Sequence, residues 1–140
     1  MYTLEEIAVL RRKCNELKLV GREVLDRYTD QDLQLICNGI GPDAFPRGVR
    51  EFVTGIHPTL ECSAFIHDVD FYESDGTHDH FTASNDRYAR NAVILAEAAY
   101  GWYNPLRYIV ILQGRRHAKL CQLGGWKGYS KQGEVNDVQG

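Results

Sequence analysis

A mainly α-helical domain is what this chain predicts, and three observations carry the expectation. Apolar residues recur at helical spacing from Leu4 onward. No run of strand-like alternation and no internal repeat competes with that pattern. Helix-starting and helix-stopping residues cut the rest of the chain into segments of helix length. At 140 residues the chain has the length of one domain with a genuine core.

Thr3 can cap a first helix with Glu5 and Glu6 in its first turn, and Leu4, Ile7, Leu10, Cys14 and Leu17 share one face. Gly21 ends or interrupts that helix. Residues 30–36 read as a short helix that runs into Cys37-Asn38-Gly39-Ile40-Gly41-Pro42. Two glycines around one residue, followed by proline, specify an irregular loop. Residues 43–56 carry a weaker pattern, with one helical turn at 47–53.

His57-Pro58-Thr59 is a boundary, because the residue before proline avoids helix and Thr59 can cap the next segment. Residues 60–73 then contain no breaker and predict a helix that carries His67 and Asp68. Ser74-Asp75-Gly76 supplies a stop, and a short β-hairpin is expected at 74–81. Thr82 or Ser84 can cap the next helix, which reaches Asn104-Pro105. Pro105 suits the first turn of a helix over 106–123, ended by Gly124-Gly125. The expected division is one domain over 1–129, with N-terminal helices to 36, a loop at 37–42, a core helix pair at 58–104 and a last helix at 105–125. Residues 130–140 read as a loose polar tail.

Composition narrows the function classes. Charged residues at 25% and hydrophobic ones at 44% are those of a soluble globular protein. A net charge of −3 gives no general attraction to nucleic acid or to an anionic membrane, so no nucleic-acid partner is expected. The charge-interrupted N-terminus is neither a secretory signal nor a span, so the expected location is cytoplasmic as synthesised, with export by a signal-independent route left open. Cys14, Cys37, Cys62 and Cys121 form no CxxC pair, which argues for reduced thiols over a zinc site.

The chemistry lies in residues 65–91. On a helix, His67 and Asp68 sit about 100° apart, in adjacent sectors of one surface. A neutral imidazole there can take a proton while the carboxylate holds a hard cation. Asp86, on the next helix and at similar depth from the connecting turn, can orient the imidazole through its other ring nitrogen. A calcium ion needs about six or seven oxygens, and the 37–41 loop is the segment whose free carbonyls could complete such a set.

Each motif has a plainer reading. His67-Asp68 can be a polar pair beside the core, Asp86 can satisfy a helix start, and Gly39 and Gly41 can simply turn the chain. His78-Asp79-His80 invites a transition-metal reading but also suits a solvated hairpin tip. Arg115, Arg116, His117 and Lys119 form a basic cluster that could meet phosphate head groups or form a solvated face. Trp102, Tyr103, Tyr108 and Trp126 fit core and rim positions, or a lipid interface where exposed.

Taken together, Gly39-Ile40-Gly41, His67-Asp68-Val69-Asp70-Phe71 and Asp86-Arg87-Tyr88-Ala89 resemble, in order, the glycine loop, H-D-x-x-F helix and D-R-x-A helix of the phospholipase A2 superfamily. The C-terminal helix segment, ending in GGWKGY, is similar to bacterial and phage-associated proteins of that superfamily. The resemblance covers under half the chain. It implies that His67 is the general base, that Asp86 holds its distal nitrogen, and that Asp68 binds Ca²⁺ with the backbone carbonyls of Cys37, Gly39 and Gly41. It further implies that the ion and the Gly39 amide stabilise the oxyanion, and that the substrate is a phospholipid acyl ester at a membrane surface.

Phe71 stands where the family often has tyrosine, although Tyr72 or Tyr88 could supply a hydroxyl. The family's dense disulfide framework is absent, and Cys37 with Cys62 is the one bridge the resemblance would retain. The expected function is calcium-dependent ester hydrolysis. The rivals are an inactive binding or structural module of the same fold, for example in a phage particle, and a small helical metal-binding protein.

Overall fold

Thr3 starts the first helix by the predicted means: its hydroxyl accepts from the Glu6 amide at 3.2 Å while the Glu6 carboxylate accepts from the Thr3 amide at 2.7 Å. The computed structural model describes residues 1–38 and 57–139. Along them run α1 (Leu4–Glu16), a 3-10 turn (Arg22–Arg27), α2 (Asp30–Cys37), a second 3-10 turn (Pro58–Leu60), α3 (Glu61–Tyr72), α4 (His78–Ala99), α5 (Pro105–Gly124) and α6 (Trp126–Gln139). Gly39, Gly41 and the helical turn expected at 47–53 lie outside the described residues. Among the described residues there is no strand, and no helix is long and apolar enough to cross a membrane.

α3 is the central element. Its Cys62, Phe65, Ile66 and Val69 enter the main core with Ile7 and Leu10 of α1 and Leu33 and Ile36 of α2. Its other side, through Ser63, His67 and Asp70, meets α4. There the Ser63 hydroxyl donates to the Tyr88 carbonyl at 2.9 Å, and Arg87 pairs with buried Asp70 at 3.0 Å. A helix buried on both sides must satisfy its polar groups internally. α4 and α5 pack closely where a Cβ on Gly114 would come within 2.3 Å of the Ala92 Cβ.

Several expectations are corrected. α1 ends at Glu16, five residues before Gly21, because Lys18 turns the chain with φ 52°. The expected hairpin at 74–81 is a turn followed by the start of α4, and Thr77, not Thr82 or Ser84, caps that helix by accepting from the His80 amide at 3.2 Å. Asp75 fixes Thr77 in turn, accepting from its amide and hydroxyl at 2.9 and 2.8 Å.

The polar tail is largely helical. α6 packs on the α3–α4 turn through Gly133, where a Cβ would lie 2.5 Å from the Gly76 Cα, and through the Asn136 amide, which donates to the carbonyls of Tyr72 and Ser74 at 2.9 Å each. The Tyr72 carbonyl ends α3 and the Ser74 carbonyl lies just beyond it, both without an intrahelical partner, so these amides add to the packing of Tyr129 and Trp126 on Phe71 and Phe81. The cysteines are free thiols, and the neighbour of Cys62 is Cys14, whose Sγ lies 3.9 Å from the Cys62 carbonyl, in place of the Cys37 bridge.

Candidate active site

The α3–α4 pairing brings His67 against Asn85, not Asp86. His67 Nε2 lies 2.8 Å from Asn85 Oδ1, and both residues are buried. Asp86 is one position on, a rotation of about 100°, and is exposed. It lines an open groove of about 350 Å³ between α4 and α5 with Arg115, Lys119 and Gln122. The dyad partner expected for His67 is therefore displaced by one residue.

A chain of amides holds Asn85 in place. Its Nδ2 donates to Gln122 Oε1 at 2.8 Å, and Gln122 Nε2 donates to Thr82 Oγ1 at 3.0 Å. The reversed chain, Thr82 hydroxyl to Gln122 Oε1, Gln122 Nε2 to Asn85 Oδ1 and Asn85 Nδ2 to the ring, would place the His67 proton on Nδ1; as oriented here, Asn85 presents its oxygen to the imidazole and the proton sits on Nε2. Nδ1 then carries the lone pair, and no hydrogen bond among the described residues occupies it. The ring is held by Phe71, 4.4 Å away between centroids, and by the edge of Tyr88 at 5.3 Å. Burial lowers the His67 pKa to about 4, against a smaller opposing effect of the Asn85 bond, so the imidazole is neutral at pH 7.

Asp68 points into the next sector. It is partly buried, and burial raises its pKa to about 7. No hydrogen bond or ion pair among the described residues relieves it. Cys37, at the end of α2, lies close enough that Asp68 adds to the upward push that burial gives its thiol. Tyr2 meets the same end of α2: its amide donates to Asn38 Oδ1 at 2.6 Å and its carbonyl accepts from Gln34 and Asn38. The Tyr88 hydroxyl is buried without a partner among the described residues, and Asp68 contributes to raising its pKa after burial and Cys121.

His117 was expected in a basic cluster but faces inward. Its ring lies 4.9 Å from Tyr88, its Nε2 is 3.6 Å from Cys121 Sγ, and burial followed by His67 lowers its pKa to about 4. His78 and His80 serve packing: His78 stacks on Trp126 at 3.6 Å and His80 Nδ1 is hydrogen-bonded to the Tyr129 hydroxyl. Among the described residues no group of three or more His, Cys, Asp or Glu side chains is arranged to hold an ion.

No family model, curated protein or solved structure matches this chain. The described residues bring together His67, Asn85, Tyr88 and Gln122, with Asp68 beside Cys37, and they leave Asp86 on the surface. Asn85 and Gln122 were missed, although helical register offered one clue. Ser63, His67 and Asp70 recur at 4 and 3, so the facing stripe of α4 had to match them, and Ser84, Asn85 and Tyr88 do so.

Proposed function

We propose that this chain is a phospholipase A2-like carboxylic ester hydrolase, acting on a phospholipid acyl ester with His67 as base and Asp68 as the anchor for Ca²⁺. The observation that carries this reading is the His67–Asn85 contact at 2.8 Å, which with the Asn85 oxygen accepting leaves Nδ1 as the basic nitrogen, while Asp68 in the next sector of α3 is unpaired among the described residues. Three features of the chain fit a hard cation. Asp68 is an oxygen ligand that burial penalises while no cation is near. The Tyr88 hydroxyl, without a partner among the described residues, is near enough to Asp68 for that group to help raise its pKa. Cys37 ends α2, where backbone carbonyls lack helical partners. Gly39 and Gly41 are the further carbonyls of the proposed set.

Calcium, when bound, supplies Lewis-acid polarisation of the ester carbonyl. The rest falls to the protein. His67 Nδ1 accepts a proton from water as the water oxygen bonds to the carbonyl carbon. When the tetrahedral adduct collapses, that proton passes to the departing alcohol oxygen, giving a fatty acid and a lysolipid. Nε2–H stays on Asn85 throughout, and Gln122 keeps the amide oxygen turned toward the ring. A neutral amide stabilises imidazolium only through its dipole, so turnover is expected to be slower than with a carboxylate partner.

Asn85 also favours a second reading, a catalytically inactive module of the same fold that binds or scaffolds, for example in a phage particle. Incubation with phospholipid vesicles separates the two. The hydrolase releases fatty acid with calcium, not with chelator, and loses this on His67→Gln while retaining calcium binding. Calcium binding without any ester cleavage would establish the module.

A further inference from the structure

α5 carries an exposed apolar face with no partner among the described residues. Leu106, Ile109, Leu112, Leu120 and Leu123 fall within an arc of roughly 120° on the helix, and Leu112 and Leu123 are 61% and 74% exposed. Trp102 and Tyr103, just before α5, add two exposed aromatic side chains, 75% and 77% exposed. Single exposed apolar residues are ordinary, but a contiguous set of this size marks a docking surface.

Its charge identifies the occupant. α5 contains no Asp or Glu, in a chain whose net charge is −3. Arg107 is engaged by Glu97 at 3.0 Å, whereas Arg115, Arg116 and Lys119 have no ion-pair partner among the described residues. Arg116 lies inside the apolar arc, Lys119 borders it and Arg115 lies about 60° beyond its edge. A second copy docked on this face would set three cations against three cations, and Asp86, the one carboxylate lining the adjoining groove, would offset only part of that. A surface that is apolar beneath and anionic above meets both halves of the pattern, with the long basic stems reaching up past the leucines.

We propose that α5 docks this protein on an anionic lipid bilayer, Trp102 and the leucines entering the interface and Arg115, Arg116 and Lys119 meeting lipid phosphates. The groove beside this face is lined by Arg115, Lys119 and Gln122, with Asp86 and Asn85 from α4. Docking would thus bring the His67 side of the protein to the bilayer. That last consequence rests on the reading of His67 as a base, whereas the docking itself rests on α5 alone.

The test is sedimentation with phosphatidylglycerol-containing vesicles, against pure phosphatidylcholine vesicles and high salt, with Trp102 emission as a second readout. Binding should be at least roughly tenfold tighter to the anionic vesicles and should weaken with salt. Trp102 emission should shift to the blue, and Trp102→Phe should abolish the shift. Leu112→Glu with Leu123→Glu should abolish binding without changing the melting temperature, since both side chains are exposed. Absence of binding, equal binding to both vesicle types, or binding unaffected by the leucine pair would overturn the proposal. So would a dimer in sedimentation velocity that the same pair disrupts, which would assign the face to a second copy. His67→Gln should bind vesicles as the wild type does, so loss of hydrolysis and loss of docking are separable results.

Discussion

Asn85→Asp is the perturbation that speaks most clearly to the site. It puts a carboxylate where His67 Nε2 now meets an amide oxygen at 2.8 Å. At an effective dielectric constant of about 20, opposite charges roughly 3.5 Å apart attract by about 4–5 kcal/mol, worth ~3 pKa units. Desolvating the new carboxylate takes back part of this, leaving an upward shift of roughly 1–3 units. The neighbours can adapt: Gln122 can reverse its amide to donate to the new carboxylate, with its oxygen then accepting from the Thr82 hydroxyl.

The wild-type imidazole, lowered to about 4, should therefore titrate appreciably closer to neutrality in the variant. Proton binding sets the sign for stability. In the wild type the unfolded chain binds the His67 proton between about 6.5 and 4 and the folded protein does not, so this residue's contribution falls as pH drops through that window. The full difference is roughly 3 kcal/mol, and Asn85→Asp should flatten it. Proton NMR titration of the His67 ring reads the pKa directly. A shift below half a unit, or a downward one, would refute the contact with Asn85.

The other predictions are independent of that one. Asp68, raised to about 7, keeps a proton that the unfolded chain has released, so its contribution to apo stability falls as pH rises from the carboxylate range toward 7. Urea unfolding of wild type and Asp68→Asn across that range should diverge, and parallel profiles would show that Asp68 is not desolvated. Calcium competes with the same proton, so calorimetric affinity should rise by up to about tenfold per pH unit below 7 and vanish in Asp68→Asn. Gly114→Ala drives a methyl against Ala92 and should cost about 1–3 kcal/mol, read as a lower melting temperature. An unchanged melt would mean that α4 and α5 are not in close contact. Asn136→Ala leaves the Tyr72 and Ser74 carbonyls short of a donor and should cost roughly 1 kcal/mol, with hydrogen exchange quickening in α6. Exchange already fast there in the wild type would contradict the docking.

The helices were legible where local chemistry decides. Thr3 and Pro105 start α1 and α5 as expected, Asn104 adds a cap that was not foreseen, and Gly124-Gly125 closes α5. The α3–α4 connection was not, because Ser74-Asp75-Gly76-Thr77 serves a hairpin and a helix cap equally well in sequence. Tertiary contacts with Tyr129 and Gly133 accompany the outcome. The part of α6 beyond Ser130 was missed because nothing in its polar pattern signals burial: Trp126 and Tyr129 pack on Phe71 and Phe81, but the rest attaches through amides and a glycine contact with a partner some sixty positions away.

The site shows the same division. That His67 would face the next helix was readable from spacing, whereas the identity of its partner turned on one residue of register. On a helix one residue is the difference between a buried amide and an exposed carboxylate, and turn length could not be read to that precision. The inward turn of His117 was equally hidden, since adjacent Arg115 and Arg116 made the segment look like a solvated face.

The proposed chemistry depends most on where His67 carries its proton. Long-range proton–nitrogen correlation of the ring at pH 7 reads this directly in the full chain. Hydrogen on Nε2 with a bare Nδ1 is predicted, and replacing Gln122 by leucine should admit the other tautomer by freeing Asn85 to turn. A wild-type ring with its hydrogen on Nδ1 would leave no basic nitrogen for water and would contradict the proposed chemistry.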